Sequence, residues 1–580
     1  MSSADITTPS NTGQKSLLNQ YVPITAWLPT YQLGWLRTDL IAGLAVWAMT
    51  IPQALAYAGI AGVPAEYALY TVPLAMIAYA IFGTSRTLSM GPESALAIMS
   101  AATVGAIATQ GSEEYLTLTI ALAFVIGILF IIFGLLRMGW VANFMANPVL
   151  KGLLAGIALV VIAGESAKIF GVSGTDGNFF QDVWAVIIQL PQANPATTVV
   201  GLSSLALLFL FKRYTPKLPG AFIVVILAII ASSLFDLYEA GVAIVGEVEA
   251  GIFPLGFPQI TLQVIIGLVP GALGIVLVGY AQSYGMAKEA AETTDEELDN
   301  NQELVAYGLS NVASSFSSGF VTGGSLSRTS LILGNGGRTQ VPALLNAGLV
   351  ILTLLFLMPF FENLPSAALA AIVIIAISAL FVPSHFRRLY TINSSEFWYS
   401  LITLLGVLFL GIMEGVLLGV AVSLLVLIHR VTRPGTAIIG RMPDRASYRN
   451  IEFYPEVETV PGLLIYRFDS ALVFTNAEFF EKDIRRHIAE QVAASGEPVQ
   501  RVLINAESIN DIDTTGTDYL IDLHDTLEKD GIDLAIAKVK DPVRDRIQLS
   551  GAEETIGVDN FYKSVNEGVM AYLQEQKEKS

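Results

Sequence analysis

Between residues 39 and 433 the chain is a succession of apolar segments of roughly 17–25 residues, the length a bilayer core demands, separated by short polar breaks. The pattern predicts spans at about 39–59, 65–83, 93–109, 115–136, 149–170, 196–212 and 219–236. A second set follows at about 262–287, 303–316, 324–335, 340–360, 366–382, 393–411 and 413–431. Two groups of seven lie in opposite orientation, because seven is odd, and that is an inverted repeat.

Two of these segments are interrupted. Residues 317–340 read SSGFVTGGSLSRTSLILGNGGRTQ, with a glycine pair, hydroxyls and Arg328 at a depth where lipid tolerates none of them. Irregular backbone survives there only when buried in protein or lining a cavity, and an intramembrane arginine points to function. The spacing predicts an extended stretch at 320–322, a break at Gly323-Gly324-Ser325 and a half-helix from about Leu326. In the first half, residues 84–99 read TSRTLSMGPESALAIM. Here 87–90 are predicted extended, Gly91-Pro92 breaks the chain, and Pro92 takes the first helical position. Glu93, Ser94 and Ala95 are expected in the first turn. Paired interruptions in corresponding spans point to a transporter's central site. A helix start offers free N–H groups and the positive end of a dipole, which suits an anion, and Arg328 adds a full charge.

Orientation follows from the basic residues. Arg86, Arg137 with Lys151, Lys212-Arg213 with Lys217, Arg338, Arg387-Arg388 and Arg430 with Arg433 share one side if the N-terminus is cytoplasmic. The loops predicted on the other side, 60–64, 109–114, 171–195, 237–261 and 361–365, hold no Lys or Arg. Both termini are therefore expected in the cytoplasm of a multi-pass protein of the plasma (inner) membrane. Residues 1–38 read as a polar cytoplasmic lead-in without an apolar leader, so the first span is expected to direct insertion.

Composition agrees: of 580 residues 53% are hydrophobic and 14% charged, where a soluble protein carries about a quarter charged. The absence of cysteine excludes thiolate zinc sites and cysteine nucleophiles, and the four histidines lie far apart. No phosphate-binding loop motif occurs. No enzyme activity, cofactor or metal is expected, and a net charge of −18 argues against nucleic acid or anionic lipid as a main partner. The chain changes character at Thr432-Arg433-Pro434-Gly435. Residues 433–460 read as a linker, and 461–577 as a small α/β domain. Its expected strands are 462–468, 471–475, 502–505 and 533–539, and its helices 478–494 and 515–530.

These residues resemble the sulfate-permease (SulP) family, which includes plant sulfate transporters, bacterial anion permeases, animal anion exchangers and prestin. The resemblance rests on Ile51-Pro52-Gln53-Ala54-Leu55-Ala56-Tyr57-Ala58, the stretch 83–93, Asn301-Gln302-Glu303-Leu304, Ser325-Leu326-Ser327-Arg328-Thr329 and Gly337-Arg338-Thr339-Gln340. The tail resembles the family's STAS domain through Asn476-Ala477-Glu478 and Asp513-Thr514-Thr515-Gly516. The resemblance implies an α-helical fold of 14 spans as 7+7 inverted repeats, with core and gate (scaffold) domains and two half-helices. It also implies a cytoplasmic STAS domain and a homodimer in the lipid bilayer. Carried over by motif, the anion site comprises Gln53 and Tyr57 from span 1, Glu93, Ser94 and Ala95 from span 3, and Ser325, Leu326, Ser327 and Arg328 from span 10. Many coupled members carry a carboxylate on span 8, where this chain is aligned with Tyr280; animal exchangers lack it too.

Each residue has a structural alternative. Arg328 is also placed to tie its half-helix to a carbonyl or to Glu414, and Glu93 to complement a helix dipole or pair with Arg328. Gln53 and Tyr57 suit interhelical packing. Glu165 and Lys168 are expected to pair, and Glu414, Gly415 and Gly419 to pack a scaffold helix. Thr515 matches a phosphorylatable position of bacterial STAS proteins, although Asp513 and Thr514 also suit a helix N-cap. The sequence thus reads as a secondary transporter of inorganic anions: a sulfate-type permease or a bicarbonate/chloride exchanger, with Glu93 as coupling candidate. The alternatives are an uncoupled exchanger or channel, and an anion sensor signalling through the STAS domain.

Overall fold

The computed structural model describes residues 19, 21–144, 146–174, 177–215, 218–246, 251–294, 296–443 and 447–579. Most of the expected lead-in (1–18 and 20), Lys217, parts of two expected outer loops (175–176 and 247–250) and residues 444–446 of the expected linker lie outside them. The chain divides into two compact units, Met1–Leu424 and Leu425–Ser580.

In the first unit the apolar runs become helices: α1 (Leu36–Ala61), α2 (Ala65–Phe82), α3 (Ser94–Gly105), α4 (Glu113–Leu135), α5 (Asn147–Phe170), α6 (Phe179–Gln189), α7 (Pro195–Tyr214) and α8 (Gly220–Leu234). The second half supplies α9 (Leu262–Thr294), α10 (Asn300–Phe316), α11 (Leu326–Gly334), α12 (Val341–Leu352), α13 (Ser366–Ile377), α14 (Pro383–Ile392), α15 (Ser394–Leu410) and α16 (Ile412–Thr432). Among the described residues nine helices are long and apolar enough to cross a membrane; α3, α8 and α15 are shorter apolar helices. Helices α6 and α14 were not expected. α6 opens on a capping box between Asn178 and Gln181, and α14 starts with Pro383; both lie outside the long apolar runs.

The interrupted segments meet. Strand β1 (Met90–Gly91) pairs antiparallel with β2 (Gly323–Gly324), so the glycine pair expected to be the break is itself a strand. Pro92 is not the first helical residue of α3, because Glu93 is its N-cap, in extended conformation. Around this crossing the helices pack backbone to backbone. A Cβ on Gly127 of α4 would lie 2.8 Å from the Gly308 carbonyl of α10, and one on Gly308 would lie 2.6 Å from the Gly127 carbonyl. With no hydrophobic force between helices in lipid, such close approach supplies the packing. The loop before β1 is pinned by Glu303, a fully buried carboxylate on α10. It accepts from the Thr84 backbone N–H (2.6 Å) and hydroxyl (2.7 Å), the Ser85 N–H (3.2 Å) and the Tyr79 hydroxyl (2.9 Å).

The second unit carries a six-stranded sheet in the order β4-β3-β5-β6-β7-β8: β3 (Thr436–Arg441), β4 (Tyr448–Asn450), β5 (Leu463–Phe468), β6 (Arg501–Asn505), β7 (Asp533–Ala537) and β8 (Phe561–Tyr562). β5 to β8 are parallel, and β3 runs antiparallel to β4 and β5. Leu463 and Ile465 face one apolar layer, and Leu464, Tyr466 and Phe468 the other, so both sides of β5 are buried. Helices α17 (Ala477–Ser495), α18 (Thr514–Lys529), α19 (Asp541–Leu549), α20 (Ala552–Ile556) and α21 (Val565–Lys579) complete the unit. Two expectations are corrected. The stretch 433–460 contains β3, which pairs with β5, and β4, which pairs with β3, and no local pattern announces these partners. Residues 471–475 form a single bridge, Leu472 with Ile512, because the chain turns into α17 there.

Candidate functional site

The site is built where β1 and β2 cross. β2 leads through Ser325 into α11, and the Ser325 N–H donates to the Ser89 carbonyl (3.0 Å). The Ser89 N–H in turn donates to the Thr329 hydroxyl (3.0 Å). One turn into α11, Arg328 is fully buried. Its Nη2 donates to the Pro92 carbonyl at 3.1 Å and its Nη1 to Gln53 Oε1 at 3.3 Å. Gln53 Nε2 donates to the Ser327 hydroxyl at 3.3 Å, and the Ser325 and Ser327 hydroxyls lie 3.3 Å apart. One guanidinium therefore joins α1, the end of β1 and α11, while its Nε–H has no protein acceptor. Buried donors are rarely left unpaired, so this N–H marks a place for an acceptor. Gly91 is required here: its φ of +150° is one that L side chains rarely adopt, and a Cβ would stand 3.1 Å from Arg328 Nη2.

The two helix starts are not equivalent. At α3 the Glu93 carboxylate folds over its own helix, accepting from the Ala95 N–H (2.8 Å), the Leu96 N–H (3.4 Å) and the Ser94 hydroxyl (3.2 Å). The amides expected to be open to an anion on this side are thus held by a carboxylate of the chain. At α11 the N-cap Ser325 makes no side-chain cap. Its first-turn N–H groups are the uncapped positive end, beside a guanidinium. Tyr57, buried on α1, lies within electrostatic reach of Glu93 and Arg328.

Leu326, Ser327 and Ser330 lie on the exposed face of α11. Ser327 and Ser330 open onto a cavity of about 320 Å³ whose other walls include Ala45 and Met49 of α1 and Pro219 and Phe222 at the start of α8. The expected residues Gln53, Tyr57, Glu93, Ser94, Ala95, Ser325, Leu326, Ser327 and Arg328 thus belong to one neighbourhood, built by α1, α3 and α11.

Tyr280 stands apart from it. Its hydroxyl donates to the Gly139 (2.9 Å) and Asn300 (3.1 Å) carbonyls, and its ring packs with Tyr284 and Tyr307. The residues α9 presents to the crossing are Gly279, where a Cβ would meet Leu96, and Ser283, whose hydroxyl accepts from the Gly324 N–H at 2.9 Å. Sequence reasoning missed Ser283 and its neighbour Gln282, a buried amide with neither nitrogen nor oxygen partnered. Two adjacent polar residues in an apolar run were the available signal. Arg328 makes no bond to Glu414, which is exposed beside Gly411. Lys168 does pair with Glu165 at 2.7 Å, and a Cβ on Gly415 would press on Val407 of α15. In the second unit Asp513 caps α18, accepting from the Gly516 N–H at 2.8 Å. Thr515 lies partly exposed in that helix's first turn.

A family model described as Sulfate permease family matches residues 36–403, and one described as STAS domain matches 454–568. The chain belongs to the sulfate permease family. A probable sulfate transporter of Mycobacterium tuberculosis is 36% identical over 542 residues, covering 93% of this chain and 96% of that protein. The high affinity sulfate transporter 2 of Stylosanthes hamata is 30% identical over 579 residues, covering 95% and 86%. Among solved structures, murine Solute Carrier 26 family member A9, an anion transporter in the inward-facing state, superposes with a TM-score of 0.85. It is 24% identical and covers 98% of this chain and 96% of that one. The transmembrane domain of a cyanobacterium bicarbonate transporter gives 0.58 at 21% identity, over 68% of this chain and 98% of that one. The fold of this sulfate permease family member is therefore that of a multi-pass membrane transporter with a C-terminal α/β STAS domain.

Proposed function

We propose that the chain carries inorganic anions across the membrane by alternating access, and that it holds the anion at the start of α11, facing α3. The observation that carries this reading is Arg328: a fully buried guanidinium placed between both breaks, with its Nε–H unpartnered, beside an uncapped helix start. Backbone N–H groups of α11, the Ser325 and Ser327 hydroxyls, Gln53 and Tyr57 would replace the anion's hydration shell. The cavity at Ser327 and Ser330 is the approach. Sulfate is the first substrate to test, because the relatives of 30–36% identity are named sulfate transporters; bicarbonate and chloride follow. We place the repeats as seven spans each, the termini in the cytoplasm of the plasma membrane, and the working form as a homodimer.

Glu93 is the coupling candidate. Its ionised carboxylate holds the α3 amides and repels an incoming anion, so protonation releases the helix start and favours loading. A second reading, exchange without proton coupling, is favoured by Tyr280, which gives α9 no carboxylate at its aligned position. Uptake of sulfate, bicarbonate and chloride into proteoliposomes, with and without a pH gradient, separates them. Uptake driven by inward-directed protons supports symport; uptake that needs an internal anion and ignores pH supports exchange. Binding without flux of any anion would make the protein a sensor instead.

A further inference from the structure

A larger cavity, of about 1200 Å³, lies apart from the transport site and is bounded by loops at the ends of α2, α4, α9 and α11 and by residues preceding α1. Three arginines line it, Arg86, Arg137 and Arg338, together with three tryptophans, Trp27, Trp35 and Trp140. Among the described residues none of the three guanidiniums is ion-paired; that of Arg338 lies 6.0 Å from the Trp35 ring centroid. The acids in the same wall are engaged. Asp299 caps α10, accepting from the Asn301 (2.9 Å) and Gln302 (3.1 Å) N–H groups. Glu296 accepts from the Arg86 backbone N–H at 3.1 Å, and Glu297 has a partner of its own.

Two further observations point to a ligand. Trp27 is 3% exposed, lines the cavity, and its indole N–H has no acceptor. A buried donor without a partner is costly, so such groups are normally matched. Arg137, just past the Leu136 C-cap of α4, holds φ +57°, with the Met138 N–H bonded to the Phe133 carbonyl (2.8 Å). That is the left-handed position ending a helix, which glycine or asparagine fills without strain. An arginine kept there at a conformational cost is one whose side chain has a task.

We propose that this cavity is a second anion site, distinct from the transport site, which takes a phosphate ester. The wall's donors without a hydrogen-bond acceptor among the described residues are the Arg137 and Arg338 guanidiniums and one indole N–H; with Arg86, whose charge also acts on Glu296, they form the set that recognises phosphate oxygens. The volume exceeds what a bare anion needs, and the indole faces suit the organic part of an ester. The ester has two sources, an anionic lipid headgroup entering from the bilayer or a soluble nucleotide. Basic pockets beside membrane helices commonly hold lipid headgroups.

Binding to the purified full chain in detergent tests this without any flux measurement, so its outcome is independent of the transport reading. The probes are dioctanoyl phosphatidylglycerol and ADP, with dioctanoyl phosphatidylcholine as control, followed by native mass spectrometry and thermal shift. Saturable binding of phosphatidylglycerol assigns the lipid source, and of ADP the soluble one. In either case Arg137→Asn with Arg338→Gln should weaken binding at least tenfold, the loss expected for two charge-assisted contacts. Trp27→Phe keeps an aromatic ring and removes the N–H, at the loss of some ring volume. It should weaken binding by about threefold or more in a chain that still unfolds cooperatively. That arm stands even if the double variant fails to fold. Failure of both probes to bind the native chain below about 1 mM, or equal binding by native chain and variants, overturns the proposal.

Discussion

Arg328 on α11 donates to the carbonyl of Pro92, 236 residues earlier in the chain, at 3.1 Å. That bond ties the two interrupted spans together at the place where each would otherwise leave polar backbone unmatched. Its neighbour bond to Gln53 adds α1 to the same guanidinium. Structural and anion-binding roles therefore coexist in one side chain, and they separate by substitution. Arg328→Lys keeps the charge but loses the fork that serves Pro92 and Gln53. It should lower the melting temperature, by an amount matching about 1.5–3 kcal/mol for hydrogen bonds of a charged donor. Measured flux should persist at a reduced level.

Gly91→Ala tests the geometry of the crossing without touching charge. A side chain at φ +150°, 3.1 Å from Arg328 Nη2, forces either the strand or the guanidinium to move. Destabilisation of more than about 1 kcal/mol is expected, together with a raised KM. A variant with native melting temperature and native KM would show that the crossing tolerates displacement.

Glu93→Gln retains an oxygen to cap α3 but removes the charge that competes with substrate. Native uptake should rise as external pH falls, because protonation neutralises the group. The Glu93→Gln variant should run at the acid-limit rate with a flat pH profile. If the profile is unchanged, Glu93 is only a helix cap, worth about 1 kcal/mol to α3.

Glu303→Ala removes the acceptor of four hydrogen bonds and leaves the buried Ser85 and Tyr79 donors and the half-buried Thr84 donors without partners. Loss of about 2–5 kcal/mol follows from buried donors losing a charged partner. It is readable as low recovery and early thermal unfolding in detergent. Glu303→Gln should be milder, since it keeps one acceptor oxygen.

The legible part of this fold was the part with a periodic or punctuated signal. Apolar runs of bilayer length gave the helices, and Gly91-Pro92 and Gly323-Gly324 marked the breaks whose pairing the structure shows. What the residues could not announce were contacts between distant segments. The cap on α3 is one case: Glu93 reads as a first-turn residue, and only its own carboxylate, turned back onto the Ala95 N–H, makes it the N-cap. Strand β3 is another, since a six-residue stretch next to a charged loop gains its strand pairing from Tyr448–Asn450 and from Leu463–Phe468, which lie on either side of it. Tyr280 was placed by resemblance, yet the period of α9 turns its hydroxyl to Gly139 and brings Ser283 to Gly324.

If an anion crosses by way of the α11 start and Arg328, flux measures it most directly. Proteoliposomes containing native chain or Arg328→Ala would be loaded with chloride, sulfate or bicarbonate and assayed for labelled sulfate uptake. Native chain should show saturable uptake, and Arg328→Ala, recovered as a monodisperse folded protein, should lose at least about a hundredfold, the loss expected when a buried charged contact is removed. Equal flux by native and variant protein would place the anion path elsewhere.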